Sequence, residues 1–172
     1  MLSWRILTSV REKHRASTGG SMLKDLHTAD GQRSMAIGEA WEEKLWESIK
    51  SSDKDARWIS KGEGDWLAGH DFIWKGKRLE LKTNEGISER GEEYDTCCLE
   101  VIARGGRIVG WMQNKADLVM LVNRHQSVGY IFNATMLRDW AKHRPKFTSH
   151  QAECTKVYWT DRNAGFKASV DI

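Results

Sequence analysis

The stretch from Asp71 to Thr83, Asp-Phe-Ile-Trp-Lys-Gly-Lys-Arg-Leu-Glu-Leu-Lys-Thr, carries two carboxylates and a lysine at spacings that bring them together. Gly76 between two short strand-like runs is a hairpin signal. A Gly76-Lys77 turn sets Asp71 opposite Lys82, and a Lys75-Gly76 turn sets it opposite Glu80. Either register keeps Asp71, Glu80 and Lys82 on one face, because side chains alternate with period two and opposed residues lie on the same side. Phe72, Trp74, Leu79 and Leu81 take the other face, which reads as the buried one. Two carboxylates make a hard oxygen site for Mg²⁺, which keeps waters and phosphate oxygens in its shell. A cation there polarises a phosphoryl group and acidifies a bound water, while the lysine orients that water or stabilises developing charge. The plain alternative is a solvated strand face with a cross-strand ion pair.

A third acid comes from the segment before the hairpin. Ser34 is an N-cap for a helix over about residues 35–50, on which Ile37, Trp41, Leu45 and Ile49 form one stripe with Trp46 at its edge. Glu42 falls between Ile49 and Trp46 on that wheel, Glu39 lies just past Trp46, and Glu43 and Glu47 point farther toward solvent. A carboxylate aimed at the apolar side of a helix is costly unless it is paired or holds a cation. An acidic site on the neighbouring sheet gives it a reason to be there, and a glutamate snorkelling to water is the competing account.

Taken together, Trp41-Glu42-Glu43-Lys44-Leu45, Asp71-Phe72 and Glu80-Leu81-Lys82 resemble the PD-(D/E)XK nuclease superfamily, and are similar to the pattern in phage junction-resolving or homing endonucleases. The resemblance covers residues 37–83 and departs from the named motif at His70, where proline is usual. It implies a restriction-endonuclease-like α/β (α+β) domain with a mixed central β-sheet flanked by helices. It also implies Asp71 and Glu80 as principal metal ligands, Glu42 (or alternatively Glu39) as helix acid, Lys82 as catalytic lysine, and Mg²⁺ or Mn²⁺ as cofactor. The implied activity is hydrolysis of DNA phosphodiester bonds, structure-specific on branched or junction DNA or site-specific. Two-fold symmetric cleavage would require a homodimer. The segment Gly110 to Asp117 is similar to the stretch after the active-site hairpin of such phage nucleases, which makes Gln113 and Lys115 candidates for substrate contact, with a surface loop entering a strand as the competing account. His70, beside Asp71, is a candidate substrate contact or proton carrier, with a solvated loop histidine as the competing account.

The elements that must position these residues follow from pattern. Strand-like runs cover Ala56–Ser60, Asp71–Trp74, Arg78–Thr83, Thr96–Ala103, Ala116–Asn123 and Val128–Asn133, with a helix over 134–144 and a terminal hairpin around Val157–Thr160 and Phe166–Val170. Asp30-Gly31 marks a turn. Ser17-Thr18-Gly19-Gly20-Ser21 is a joint, separating a basic N-terminal segment over 1–20, read as a small docking helix, from one domain over 21–172.

Composition bounds the rest. The chain has 172 residues with 27 Lys plus Arg against 24 Asp plus Glu, a formal charge of +3, enough for one core and too little charge to announce a nucleic-acid partner alone. No run approaches the length that spans a bilayer, so no membrane partner is expected. Three cysteines form no disulfide framework or zinc spacing and point to a reducing compartment, and the resemblance to phage nucleases implies the cytoplasm of a bacterial or phage-infected host cell. Lys77, Arg78 and the pairs Arg57-Trp58 and Arg124-His125 are basic residues that could line a duplex. They suit equally a non-catalytic DNA-binding module with a nuclease-like fold. Among nine tryptophans, Trp41 and Trp74 are assigned to the core, and Trp58 and Trp111 are candidates for DNA contact.

Overall fold

A computed structural model of the chain describes residues 6–7, 29–60, 69–88, 90–102, 115–149 and 152–172. In chain order these form β1 (Ile6–Leu7), α1 (Ala29–Ser52), β2 (Arg57–Trp58), β3 (Phe72–Trp74), β4 (Lys77–Asn84), β5 (Thr96–Ile102), β6 (Leu118–Asn123), β7 (Val128–Asn133), α2 (Ala134–Lys142), β8 (Phe147–Ser149), β9 (Ala152–Tyr158) and β10 (Phe166–Asp171). The fold is mixed α and β.

A seven-stranded mixed sheet runs β10-β7-β6-β4-β3-β2, with β1 added in parallel beside β4. β4 and β6 are parallel neighbours at its centre, and the remaining pairs along that path are antiparallel. The sequence of β6, Leu-Val-Met-Leu-Val-Asn, is apolar without alternation, as a strand covered on both faces must be. Met120 and Val122 turn one way, joining Phe72, Leu79, Leu81 and Ile131 beneath Leu45 and Ile49 of α1. Val119 and Leu121 turn the other way, joining Phe132, Leu137 and Ala141 with Cys97, Leu99 and Val157 of a second sheet ordered β5-β9-β8. The main sheet thus lies between α1 on one side and α2 with the small sheet on the other.

The hairpin adopts the Lys75-Gly76 register. Phe72 pairs with Leu79, Ile73 with Arg78 and Trp74 with Lys77. Both turn residues have positive φ, 49° at Lys75 and 68° at Gly76, which matches the twist of a two-residue turn to that of its strands. Counting outward sets Asp71 opposite Glu80.

Three expectations are corrected. Helix α1 starts at Ala29 and takes in Asp30-Gly31 and Ser34, because a helix nucleated on a packed stripe propagates through a glycine that costs only about 1 kcal/mol. The last two strands form no hairpin: β9 pairs with β5 and β8, and β10 with β7, although Val157 of β9 and Phe166 of β10 pack in the same core. In the N-terminal segment, read as a docking helix, Ile6 and Leu7 are extended and pair with Thr83 and Asn84, where β4 outruns β3 and leaves backbone groups to satisfy. Residues around them, including the Ser17–Ser21 joint, lie outside the described residues. No helix among the described residues is long and apolar enough to cross a membrane.

At Gly86 φ is +77°, and a Cβ would stand 1.9 Å from Oδ1 of the fully buried Asn123. Gly91 has a similar φ of +81° with nothing within 4 Å of its absent Cβ. The pair separates backbone strain from collision. Gly91→Ala should cost about 1 kcal/mol and Gly86→Ala about 3 kcal/mol or more, measured by urea unfolding.

Candidate active site

Strand β4 is divided lengthwise. Leu79 and Leu81 point to the α1 core, while Arg78, Glu80, Lys82 and Asn84 occupy the opposite face beside Val119, Leu121 and Asn123 of β6. Glu80 and Lys82 are nearly inaccessible, at 4% and 8% exposure. The Lys82 ammonium donates to Glu80 Oε1 and forms a buried ion pair with it. The solvated strand face considered from sequence is therefore not what the fold builds.

Asp71 is buried at the mouth of the hairpin. Its Oδ2 accepts the backbone N–H of Leu81 at 2.8 Å, its own N–H donates to the Leu79 carbonyl at 2.9 Å, and its carbonyl accepts from the N–H groups of Ile59 and Ser60. The carboxylate is held by main chain on the strand that carries Glu80 and Lys82.

Glu42 reaches this end of the sheet through a vernier between helix and strand. Where α1 ends, Ser52 Oγ accepts the Trp74 indole N–H at 3.1 Å and Asp53 Oδ2 accepts the Lys75 N–H, fixing the helix terminus at the hairpin turn. Glu42 lies eleven residues back along the chain from Asp53, and Asp71 four residues back from Lys75. Ser60 closes the link: its Oγ donates to Glu42 Oε2 at 2.6 Å, and its N–H to the Asp71 carbonyl at 3.2 Å. The Trp58 indole also donates to Glu42 Oε2, at 3.3 Å. Glu42 is buried whereas Glu39 is exposed. Among the described residues no group of three or more His, Cys, Asp or Glu side chains is placed to enclose a metal ion by itself.

Trp58, a candidate for DNA contact from sequence, packs against Trp46 and Phe72, with ring centroids 5.9 and 5.7 Å away. Trp41 and Trp74 border the α1 core as expected. Lys77 and Lys115 are exposed, and His70 is half-buried beside Asp71. Gln113 and Trp111 lie outside the described residues.

Arg78, read from sequence as a duplex contact, is engaged within the protein. Asp117 takes its Nε and Nη2 at 3.0 and 2.8 Å and its backbone N–H at 3.0 Å, and Asp117 N–H returns a bond to the Arg78 carbonyl. The Asp117 carbonyl accepts from Ala134 at the start of α2, whose Arg138 donates to the Ala116 carbonyl at 3.0 Å. This clamp sets α2 above the polar stripe. Burial first, then the charge of Arg78, lower the pKa of Arg138, while Asp117, Glu80 and Asp139 oppose the shift. Ser60, Asp117 and Arg138 escaped the sequence reading because their roles lie in contacts between distant segments.

The chain matches no family model, no curated protein and no solved structure. Its site is read from its own geometry.

The hydrogen bonds from Arg78 hold the Asp117 carboxyl well below the usual carboxylate range. A carboxylate whose pKa is depressed on folding stabilises the protein above its unfolded value, and that contribution is lost as pH falls through the folded value. The melting temperature of Asp117→Asn should lie below that of the unmodified protein at pH 7, and the gap should close from about pH 4 downward. Thermal melts across pH 7 to 2 would read it.

Proposed function

We propose that the protein is a metal-dependent DNA endonuclease of PD-(D/E)XK type, with a restriction-endonuclease-like arrangement of its mixed sheet. The observation that carries this reading is a buried Glu-x-Lys on the polar face of a central strand whose other face, Leu79 and Leu81, enters the α1 core, with the buried Asp71 opposite Glu80. Burying such charges costs several kcal/mol per ion before pairing, and hydrophobic replacements of similar volume are often no less stable, so stability alone is a poor reason to place them there.

Among the described residues, Asp71 and Glu80 form a donor set of two hard oxygen groups without a protein cage. That fits Mg²⁺ or Mn²⁺, which complete their shells with water and phosphate oxygens, and not a structural zinc, which demands four protein ligands. When bound, the cation supplies Lewis-acid stabilisation of the phosphate charge and an acidified water. Asp71, fixed by the Leu81 N–H, holds its position while substrate comes and goes. Lys82 orients the attacking water toward phosphorus, and its ammonium offsets the charge that builds on the phosphoryl oxygens. Glu42, through Ser60, orders the approach to Asp71 from the α1 side. The exposed Lys77 and Lys115, together with His70 and Gln113, are the residues proposed to meet DNA.

The test is incubation of the full chain with linear, nicked, flapped and four-way DNA, with Mg²⁺ and with EDTA. Cleavage should require the metal and fall by about 100-fold or more in Asp71→Ala and in Lys82→Ala. Cleavage that survives both substitutions would overturn the proposal. Binding without cleavage under any divalent metal would favour a DNA-binding module that has the fold without the reaction.

A further inference from the structure

The two hairpin carboxylates are engaged in different ways. Asp71 Oδ2 is held by a main-chain N–H of β4, which cannot move without breaking the ladder. Glu80 Oε1 is held by the ammonium of Lys82, at the end of a flexible four-carbon chain rooted two residues away on the same face. One bond is fixed and the other can be exchanged.

Resting on the nuclease reading above, we infer that Lys82 is an internal counter-ion which occupies Glu80 in place of the divalent cation, so that cation binding and release of Lys82 are one event. The buried Glu80 carboxylate needs a positive partner at all times. Without metal, Lys82 supplies it and the pair stays neutral. A dication arriving at Asp71 and Glu80 competes for the oxygen to which Lys82 donates, and repels the ammonium at short range. The displaced ammonium is then close to where a water or phosphate oxygen must sit, and gains its new acceptor when substrate arrives. Arg138 is also electrostatically coupled to Glu80, but its guanidinium donates to the Ala116 carbonyl. Its bond to Ala116 is to a backbone carbonyl, whereas that of Lys82 is to the Glu80 carboxylate itself.

That contrast supplies the test. Mn²⁺ binding to the full chain, measured by calorimetry, should be about fivefold tighter or more in Lys82→Met, and should change less than about twofold in Arg138→Gln. Because Lys82→Met leaves Glu80 buried with no counter-ion, folding is checked by circular dichroism, and a second measurement uses the unmodified protein. The ¹⁵N signal of the Lys82 ammonium, identified by its absence in Lys82→Arg, should shift on Mg²⁺ titration with the midpoint of cation binding. Unchanged or weaker Mn²⁺ affinity in folded Lys82→Met, equal gains in both variants, or an ammonium signal indifferent to saturating Mg²⁺ would overturn the inference. DNA cleavage with any of those results would sink the counter-ion role alone. Cation binding that follows Lys82, without cleavage of any DNA, would sink the nuclease reading alone. Wild-type Mn²⁺ binding that persists in Glu80→Gln would overturn the counter-ion role.

Discussion

A charged pair on the inner strand of a covered sheet is the constraint around which this protein is arranged. Glu80 and Lys82 sit on β4, next to a strand whose first five residues are hydrophobic, and neither reaches solvent to an appreciable degree. Water cannot satisfy them there. Their partners must come from the protein, and the nearest are each other, because residues two apart on a strand share a face. The surrounding architecture can be understood as what is needed to keep that face polar while burying the one behind it.

The apolar side is secured first. Leu79 and Leu81 alternate with Glu80 and Lys82, so the strand enters the α1 core by the same periodicity that exposes the charges to the opposite layer. A one-residue slip would invert both faces, and several independent devices oppose it. The positive-φ turn at Lys75 and Gly76 sets the hairpin register, Asp71 is bonded to Leu79 and Leu81, and the end of α1 is bonded to Trp74 and Lys75. Binding the helix terminus to the turn also sets the height of Glu42, which is how an acid ten residues before Ser52 comes to share Ser60 with the hairpin mouth.

The polar side is closed by the Arg78–Asp117 clamp. Residues at the starts of two parallel strands are bonded through both main chain and side chain, and the same aspartate receives the first N–H of α2. Its exposure limits its energetic weight. Its geometric effect is larger, since it decides where α2 and Arg138 lie relative to Glu80.

Much of this was legible in the sequence. The face shared by Asp71, Glu80 and Lys82 follows from period two in either turn register, and Glu42 on the inner flank of its helix follows from 100° per residue; both are local rules acting within one element. What local rules left open was decided by packing. Two turn registers satisfied the same pattern, and the bonds from α1 fit the one at Lys75-Gly76. Glu39 and Glu42 were both admissible, and one was buried by its distance along the helix from a fixed end. β9 and β10 looked like a hairpin and were drawn into different sheets. Residue types and periodicity determine which side chains share a face, because that is geometry within a strand or helix. Which faces meet, and whether a charge on them is solvated or buried, depends on contacts between segments far apart in sequence, and only the tertiary structure decides those.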